Sequence, residues 1–287
     1  MSPHTSASFG RTMAAIDAEK FNAFEREGWA HASLDAYARV FVPITSRVID
    51  DLLDAAEASP GKRVLDVATG PGFVAARAEA RGAKVIGADL TEQMLERARR
   101  AHPRVEFRRE DAEDLRFPEA SFDAVVANFC LLHLGRPEKA VAGFARVLSR
   151  GGRVALTVWG PPERARLFGL FLEAVRAAGA PTPAAIPAGP DFFRFSDDGE
   201  FSRLLSSAGF DGVAIRTLEF AHLLPDADLL WRGMLEGTVR TRALLTLQTE
   251  EMRERIHREF LRGIEAYRGE GGFALPVEVK LASGRKP

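Results

Sequence analysis

The amino-acid sequence predicts a doubly wound α/β fold, a mostly parallel sheet with helices on both faces. Three observations carry that expectation. Between residues 60 and 160, five short apolar runs alternate with helical patterns, the rhythm of βαβ units. A Gly-Pro-Gly turn at residues 70–72 follows the first run almost directly. The chain has 287 residues, 46% hydrophobic and 28% charged, which supports one full core with elaborations better than disorder or two independent domains.

The elements follow in order. Residues 11–58 read as helical, and Val48, Ile49, Leu52 and Leu53 form an amphipathic stripe that Ser59-Pro60-Gly61 stops. Arg63–Ala68 is the first strand, and a helix runs from the glycine turn to Arg81. Lys84–Ala88 is the second strand, after which Thr91 is placed to cap a helix reaching Arg100. Val105–Arg108 and Phe122–Ala127 are the third and fourth strands. Pro137–Leu148 is a helix with proline in its first turn, and Gly151-Gly152 turns the chain into the fifth strand, Arg153–Trp159. Beyond Pro161 come a helix at 163–178, a proline-rich stretch from Pro181 to Pro190, and a helix near 199–207. Strands follow at about 213–221 and 273–283. The intervening residues 225–270 read as helices, with apolar stripes at Trp231, Met234, Leu235 and Val239 and at Met252, Ile256, Phe260 and Ile264. A hairpin takes about two to five loop residues, so this connection is an insertion with a surface to cover.

Composition narrows the function. A net charge of −1 offers no field to draw in nucleic acid, and no apolar run approaches a membrane span. The single cysteine, Cys130, excludes a disulfide framework and a Cys-rich zinc site, and suits a reducing compartment. With no signal-peptide pattern at the amino terminus, a cytoplasmic location is expected. No GxxxxGK[ST] loop, GxSxG elbow or HExxH helix occurs, and the six histidines are scattered, so no metal is expected.

The most informative segment is Val64–Phe73, VLDVATGPGF. In an open parallel sheet, ligands bind beyond the carboxyl ends of the strands near the switch point. Gly70 and Gly72 let the backbone turn tightly there and approach a ligand. Asp89 closes the second strand, where a carboxylate can accept from ribose hydroxyls. The pattern Gly70-x-Gly72-x-x-Ala75 with Asp89 also satisfies the dinucleotide fingerprint, which keeps an oxidoreductase open as an alternative. Asp66 argues the other way. A carboxylate at the tip of the first strand repels a pyrophosphate and suits the cationic amino group of S-adenosylmethionine (SAM).

Five ordered segments carry a wider resemblance: VLDVATGPG (64–72), VIGADLTEQML (85–95), EDAEDLRFPEASFDAVVANF (110–129), LLHL (131–134) and RVLSRGGRVALTVW (146–159). Over about residues 60–160 the chain resembles the class I SAM-dependent methyltransferases, in the ubiquinone/menaquinone-type branch that acts on small molecules. That resemblance implies a Rossmann-like sheet of seven strands with an antiparallel last strand, SAM as cofactor and S-adenosylhomocysteine as product. It implies that Asp66, Ala68, Thr69, Gly70 and Gly72 line the methionine end and that Asp89 binds the ribose. Leu90 and Met94 would sandwich the adenine, Asp111, Ala112 and Glu113 would lie at its edge, and Asn128 and Phe129 would face the transferring methyl. Ala68 departs from the family, which usually has glycine there. The implied organisation is a helical cap at 1–59, a SAM-binding core at 60–160, completion of the sheet by 161–224 and 271–287, and a helical substrate lid at 225–270.

Methyl transfer is an in-line displacement, and holding both reactants in line can supply about 7–11 kcal/mol through proximity alone. It needs a general base only where the acceptor must lose a proton. His133, after the fourth strand, is the first candidate for that base, although a histidine packed beneath the loop is the more ordinary reading. Tyr37, and more weakly His31, are candidates in the amino-terminal helices. The fourth strand ends Asn128-Phe129-Cys130-Leu131, unlike the Asn/Asp-Pro-Pro-aromatic tetrapeptide of enzymes that methylate DNA bases or glutamine. The chain holds 20 Phe but 2 Tyr, with Phe168, Phe171, Phe192, Phe193 and Phe195 gathered after the fifth strand. The expected partner is therefore a small, apolar or aromatic methyl acceptor, with a second copy of the chain as a further candidate. A SAM-binding protein of this fold that catalyses another reaction, such as a cyclisation, has the same binding motifs and stays open.

Overall fold

A computed structural model describes residues 16–287. The first five residues of the predicted helical stretch, and residues 1–15 of the predicted cap, lie outside the described residues. From residue 16 the stretch is a series of short helices: α1 Ala18–His31, α2 Leu34–Val40, α3 Val42–Thr45, a 3-10 turn Ser46–Val48, and α4 Ile49–Ala55. Local chemistry makes the breaks. Asp17 caps α1 by accepting from the Lys20 N–H at 3.0 Å, and Ser33 restarts the helix by accepting from the Ala36 N–H at 3.2 Å. Pro43, at the start of α3, has no N–H to continue the α2 ladder. The predicted stripe Val48, Ile49, Leu52 and Leu53 is buried.

The α/β alternation then begins. Its elements are β1 Arg63–Val67, α5 Phe73–Ala80, β2 Lys84–Asp89, α6 Glu92–Ala101, β3 Glu106–Arg109, β4 Phe122–Asn128, a 3-10 turn Leu131–His133, α7 Pro137–Val147 and β5 Leu148–Trp159. Each strand matches its predicted run to within a residue or two, except that β5 starts five residues earlier. Leu148 already pairs with Phe122 there, and the register shifts before Arg153 pairs with Ala124. Thr91 stands at the N-cap of α6, but its hydroxyl makes no capping bond. The carboxylate of Asp89 takes the Thr91 N–H instead, at 2.8 Å. The β3–β4 connection is a loop rather than a helix, stiffened by a bridge between Asp111 and Asp114.

The second half adds α8 Arg166–Ala177, α9 Asp198–Ser207, β6 Asp211–Leu224, α10 Ala227–Gly237, α11 Arg240–Thr246, α12 Glu250–Ile264, the two-residue β7 Arg268–Gly269, and β8 Gly272–Arg285. The sheet order is β3-β2-β1-β4-β5-β8-β6, with β7 paired to β8 beyond that path. Strands β1 to β5 are mutually parallel, and β8 runs antiparallel between β5 and β6. Seven of the eight strands form the expected doubly wound sheet with a reversed last strand, and the short β7 is an addition to it. The chain winds outward from β1 to β3 and then returns to β4 on the other side of β1, so the switch point lies between β1 and β4.

Two apolar layers sandwich the sheet. One packs α7 and α9 through Phe144 and Phe201, and the other packs α4 and α5 through Leu52, Leu53 and Val74. A further cluster lies above the carboxyl ends of the strands, where Trp159, Phe168 and Phe171 meet Leu230, Trp231 and Met234 of α10 and Ile256, Phe260 and Ile264 of α12. The insertion at 225–270 is thus fastened by an apolar cluster that it shares with α8 and the amino-terminal helices. The stripe on α12 is continuous, whereas the one on α10 ends before Val239 because the helix stops at Gly237.

Candidate active site

A cavity of about 260 Å³ opens at the switch point. Its floor comes from the loops after β1, β2, β3 and β4, its roof from α1 and the α10–α11 junction, and its far wall from aromatic rings. A second, smaller cavity of about 50 Å³ shares Ala68, Gly70, Pro71, Tyr37, Thr45 and Asn128 with the first and reaches Asp66.

The turn after β1 sets the floor. Ala68 and Gly70 both adopt left-handed backbone, with φ of 55° and 52°. A β-carbon on Gly70 would meet no atom within 4 Å, so this glycine borders open space. Gly72, also left-handed at 87°, lines neither cavity. A β-carbon there would come within 2.8 Å of the Phe107 ring, so Gly72 lets α5 pack on β3.

Asp66 is 1% exposed. Its Oδ2 accepts from the Thr69 hydroxyl at 2.5 Å and from the Ala75 N–H at 3.1 Å, which ties the strand tip to the first turn of α5. Its Oδ1 is buried with no partner. Burial is the largest influence on this carboxyl and, with the nearby charge of Asp89, pushes it up to about 7 against the two hydrogen bonds. Asp89 accepts from the Gly70 N–H at 2.9 Å through one oxygen and from Thr91 through the other, so it joins the glycine turn to the start of α6. Burial raises this carboxyl as well.

The remaining predicted residues divide by what holds them. Leu90, Met94, Asp111 and Ala112 line the cavity, and Asp111 accepts from the Glu113 N–H at 2.8 Å. Glu113 also lines it, but both its oxygens are taken by Arg136, through the backbone N–H and Nε at 2.8 Å each. Burial opposes ionisation of Glu113, yet Arg136 wins and holds the carboxyl below its usual range. Asn128 bridges three elements: its amide donates to the Thr45 carbonyl at 3.2 Å and its oxygen accepts from the Thr157 hydroxyl at 2.6 Å. Phe129 has left-handed backbone (φ 56°) and stacks on Trp159, with ring centroids 4.0 Å apart. Tyr37 lines the cavity and stacks on Phe41, and burial pushes its phenol up to about 12, which makes it a donor rather than a base. His31 lies exposed on α1, donating to the Glu27 carbonyl, and does not reach the cavity.

His133 does reach it. Its Nδ1 donates to Glu25 Oε2 at 2.9 Å, and its ring meets the Trp29 ring edge-on at 5.1 Å. Glu25 is 3% exposed and also accepts from Arg240 Nε at 2.8 Å. Arg240 donates further to the carbonyls of Leu132 and Pro190 and lies over the Phe21 and Phe192 rings. Glu25, Trp29 and Arg240 escaped the sequence reading. The available signal was the spacing of Glu19, Asn22, Glu25 and Trp29 along one face of α1, which looks like any solvated helix face. Cys130 is buried at the edge of the cavity, and burial pushes its thiol upward.

Residues 65–156 match the family described as a methyltransferase domain. The demethylmenaquinone methyltransferase of Clavibacter sepedonicus is 35% identical over 169 residues, which cover 55% of this chain and 69% of that protein. The chain belongs to the class I SAM-dependent methyltransferases. Among solved structures, the YcgJ protein of Bacillus subtilis is similar at a TM-score of 0.53 and 21% identity, covering 84% of this chain and 98% of its own. Haemonchus contortus phosphoethanolamine N-methyltransferase 2, solved with S-adenosylhomocysteine, gives a TM-score of 0.51 at 20% identity, covering 84% of this chain and 52% of its own. The methyltransferase thus uses SAM to methylate a small molecule, and neither the cyclase nor the oxidoreductase alternative is favoured.

The residues present suit SAM. A buried carboxylate oxygen without a partner, reached by a small cavity beside a glycine turn, calls for a cationic donor, which the ammonium of a methionine moiety provides. A pyrophosphate in the same place would face Asp66 and Asp89 together. Among the described residues no cluster suited to a metal ion occurs, and no helix is long and apolar enough to cross a membrane.

Proposed function

We propose that this methyltransferase acts on a small acceptor with an aromatic or otherwise apolar body, held between the SAM-binding floor and the helical roof. The observation that carries the reading is an unbroken series of rings along the cavity. Trp29 meets Tyr37, Tyr37 stacks on Phe41, Phe41 on Phe168, and Phe168 touches both Trp159 and Phe192, with successive centroids 5.0–6.2 Å apart. Such a wall offers large apolar area and favours flat, π-bearing ligands. The relatives' named acceptor, demethylmenaquinone, is a quinone, which agrees with that chemistry.

In this reading Asp66 Oδ1 takes the ammonium of SAM, Gly70 leaves room for its backbone atoms, and Asp89 accepts from the ribose hydroxyls. Leu90 and Met94 cover the adenine, with Asp111 and Ala112 at its edge. When bound, SAM supplies an electrophilic methyl on a sulfonium. Asn128 and Phe129 shape the floor beneath the reacting centre, and the strained Phe129 backbone presses its ring onto Trp159. The helices of residues 225–270 serve as a lid, because Gly237–Thr241 closes the roof, and a closed roof excludes water from the displacement. Cytoplasmic placement agrees with the buried free thiol of Cys130.

The reading is tested by following S-adenosylhomocysteine formation with two acceptor sets: hydroxylated naphthalenes and flavonoids on one side, glycine and guanidinoacetate on the other. Turnover confined to the aromatic set is expected, with Phe168→Ala raising KM for it. Turnover confined to the polar set would sink the proposal.

A further inference from the structure

The charged groups that meet His133 say more than that a base is present. Its Nδ1 carries the proton of the bond to Glu25, since a carboxylate can only accept, so in the neutral ring Nε2 is the nitrogen that holds the lone pair. Nε2 has no hydrogen-bond partner among the described residues, and the ring lines the cavity. Trp29, edge-on to the imidazole, sets its rotation. Glu25 comes from α1, His133 from the turn after β4, and Arg240 from the start of α11, so three separate segments converge on one buried carboxylate.

We propose that His133 is the general base of this methyltransferase, with Glu25 its positioning residue and Arg240 the cation that balances Glu25, and that the acceptor presents a phenol-type hydroxyl to Nε2. This rests on the aromatic-acceptor reading above and adds the acceptor's acidic group. Arg240 has a definite task here. Its guanidinium pairs with one oxygen of Glu25 and balances the buried charge, while the other oxygen orients the ring. The step balances as follows: the O–H bond breaks, its proton goes to Nε2, and its electron pair stays on the acceptor. The phenolate then bonds the methyl carbon while the carbon–sulfur pair leaves on sulfur. Besides Glu25 and Arg240, the charged groups facing this part of the cavity are Asp89, Asp111 and Glu110 from the strand-end loops, Glu113 paired with Arg136, and Glu19 and Arg26 of α1.

The test compares wild type, His133→Gln and Glu25→Gln on a series of naphthols whose acidity is varied by chlorine substitution, together with SAM affinity by calorimetry and the ¹⁵N shifts of the His133 ring. His133→Gln is expected to keep SAM affinity and lose about 10²–10⁴-fold in kcat on the least acidic naphthol. That deficit should shrink steadily as the naphthol becomes acidic enough to ionise unaided, which a merely structural histidine does not produce. Glu25→Gln should move the acid limb of the rate–pH profile and change the Nδ1-protonated signature of the ring. Equal deficits across the series, an unchanged kcat, or a wild-type ring protonated on Nε2 instead of Nδ1 overturns the assignment. Turnover of aromatic acceptors that lack a hydroxyl, at rates matching the naphthols, overturns the acceptor class while leaving the aromatic reading intact. Absence of turnover with every aromatic, at undiminished SAM affinity, overturns both.

Discussion

The Thr69 hydroxyl donates to Asp66 Oδ2 at 2.5 Å, so one oxygen of a fully buried carboxylate is occupied and the other has no partner, in a residue that borders a small cavity. Without a bound cation that arrangement favours the neutral acid, which is why burial lifts Asp66 from 3.8 to about 7. Between those two values the folded, ligand-free protein holds a proton that the unfolded chain has released. Its stability contribution is therefore present at low pH and lost as pH rises through about 7, an effect on the order of 4 kcal/mol. In the proposed site SAM has the opposite preference, because its ammonium would pair with the ionised carboxylate. Calorimetric SAM affinity should rise with pH up to about 7 and then level, with a proton released on binding below it, and Asp66→Asn should abolish that dependence. A pH-independent affinity in the wild type would exclude the ammonium from this position.

Asp89 does two things with one carboxylate. It holds the Gly70 and Thr91 N–H groups, and in the proposed site it also meets the ribose. Asp89→Ala leaves two part-buried donors without a partner, each costing about 1–3 kcal/mol. We expect a lower denaturation midpoint and a loss of SAM affinity of at least about tenfold, since each 1.4 kcal/mol is a factor of ten. An unchanged affinity in a folded Asp89→Ala protein would remove Asp89 from the cofactor site.

The contrast between Asp89 and Glu25 shows what the sequence could and could not reveal. Val64, Leu65, Val125 and Val126 are completely buried in β1 and β4, so their apolar runs are readable, and the carboxylates at strand tips follow from the runs. Asp66, Gly70 and Asp89 are legible because they are close in the chain to elements that announce themselves. Gly72 belongs to the same motif, but which side of the turn it faces depends on Phe107 of β3, and no spacing encodes that. Glu25 and Arg240 are 215 positions apart and meet only because α1 and the insertion close over the same cavity. The helical reading of residues 11–58 holds over the described part, and its breaks are local, since Ser33 starts a new helix as an N-cap and Pro43 lacks the N–H to continue the one before it.

Glu25 and Arg240 also join the two parts of the roof, α1 and α11, which predicts a stability effect apart from catalysis. Their side chains are 4% and 23% exposed. Burial opposes the charge on Glu25, but His133 and Arg240 together hold the carboxyl below its ordinary 4.5. That contribution is present above pH 4.5 and is lost as pH falls through the lower folded value. Arg240→Met should cost about 3 kcal/mol at pH 7 by leaving a buried carboxylate with one partner fewer. In urea denaturation the gap from wild type should narrow when both are measured near pH 4. A gap that stays constant with pH would mean that Arg240 stabilises through its packing on Phe21 and Phe192 instead.

Ala68 offers the last prediction, because here the chain departs from the glycine usual in its family. Its φ of 55° is left-handed, a conformation that costs an L-residue with a β-carbon about 1–2 kcal/mol. The surroundings maintain it: the next N–H, that of Thr69, is anchored to the Ala88 carbonyl at 2.9 Å, and Gly70 is held by Asp89. Ala68→Gly removes the clash of the β-carbon with its own backbone but frees the unfolded chain, so the two effects partly offset. The net expectation is a gain of about 0.5–1 kcal/mol in urea denaturation, with SAM affinity unchanged, because Ala68 contributes only its backbone and a methyl to the cavity. A destabilised Ala68→Gly protein would show instead that this methyl packs productively against the floor, and a fall in SAM affinity would show that it touches the cofactor.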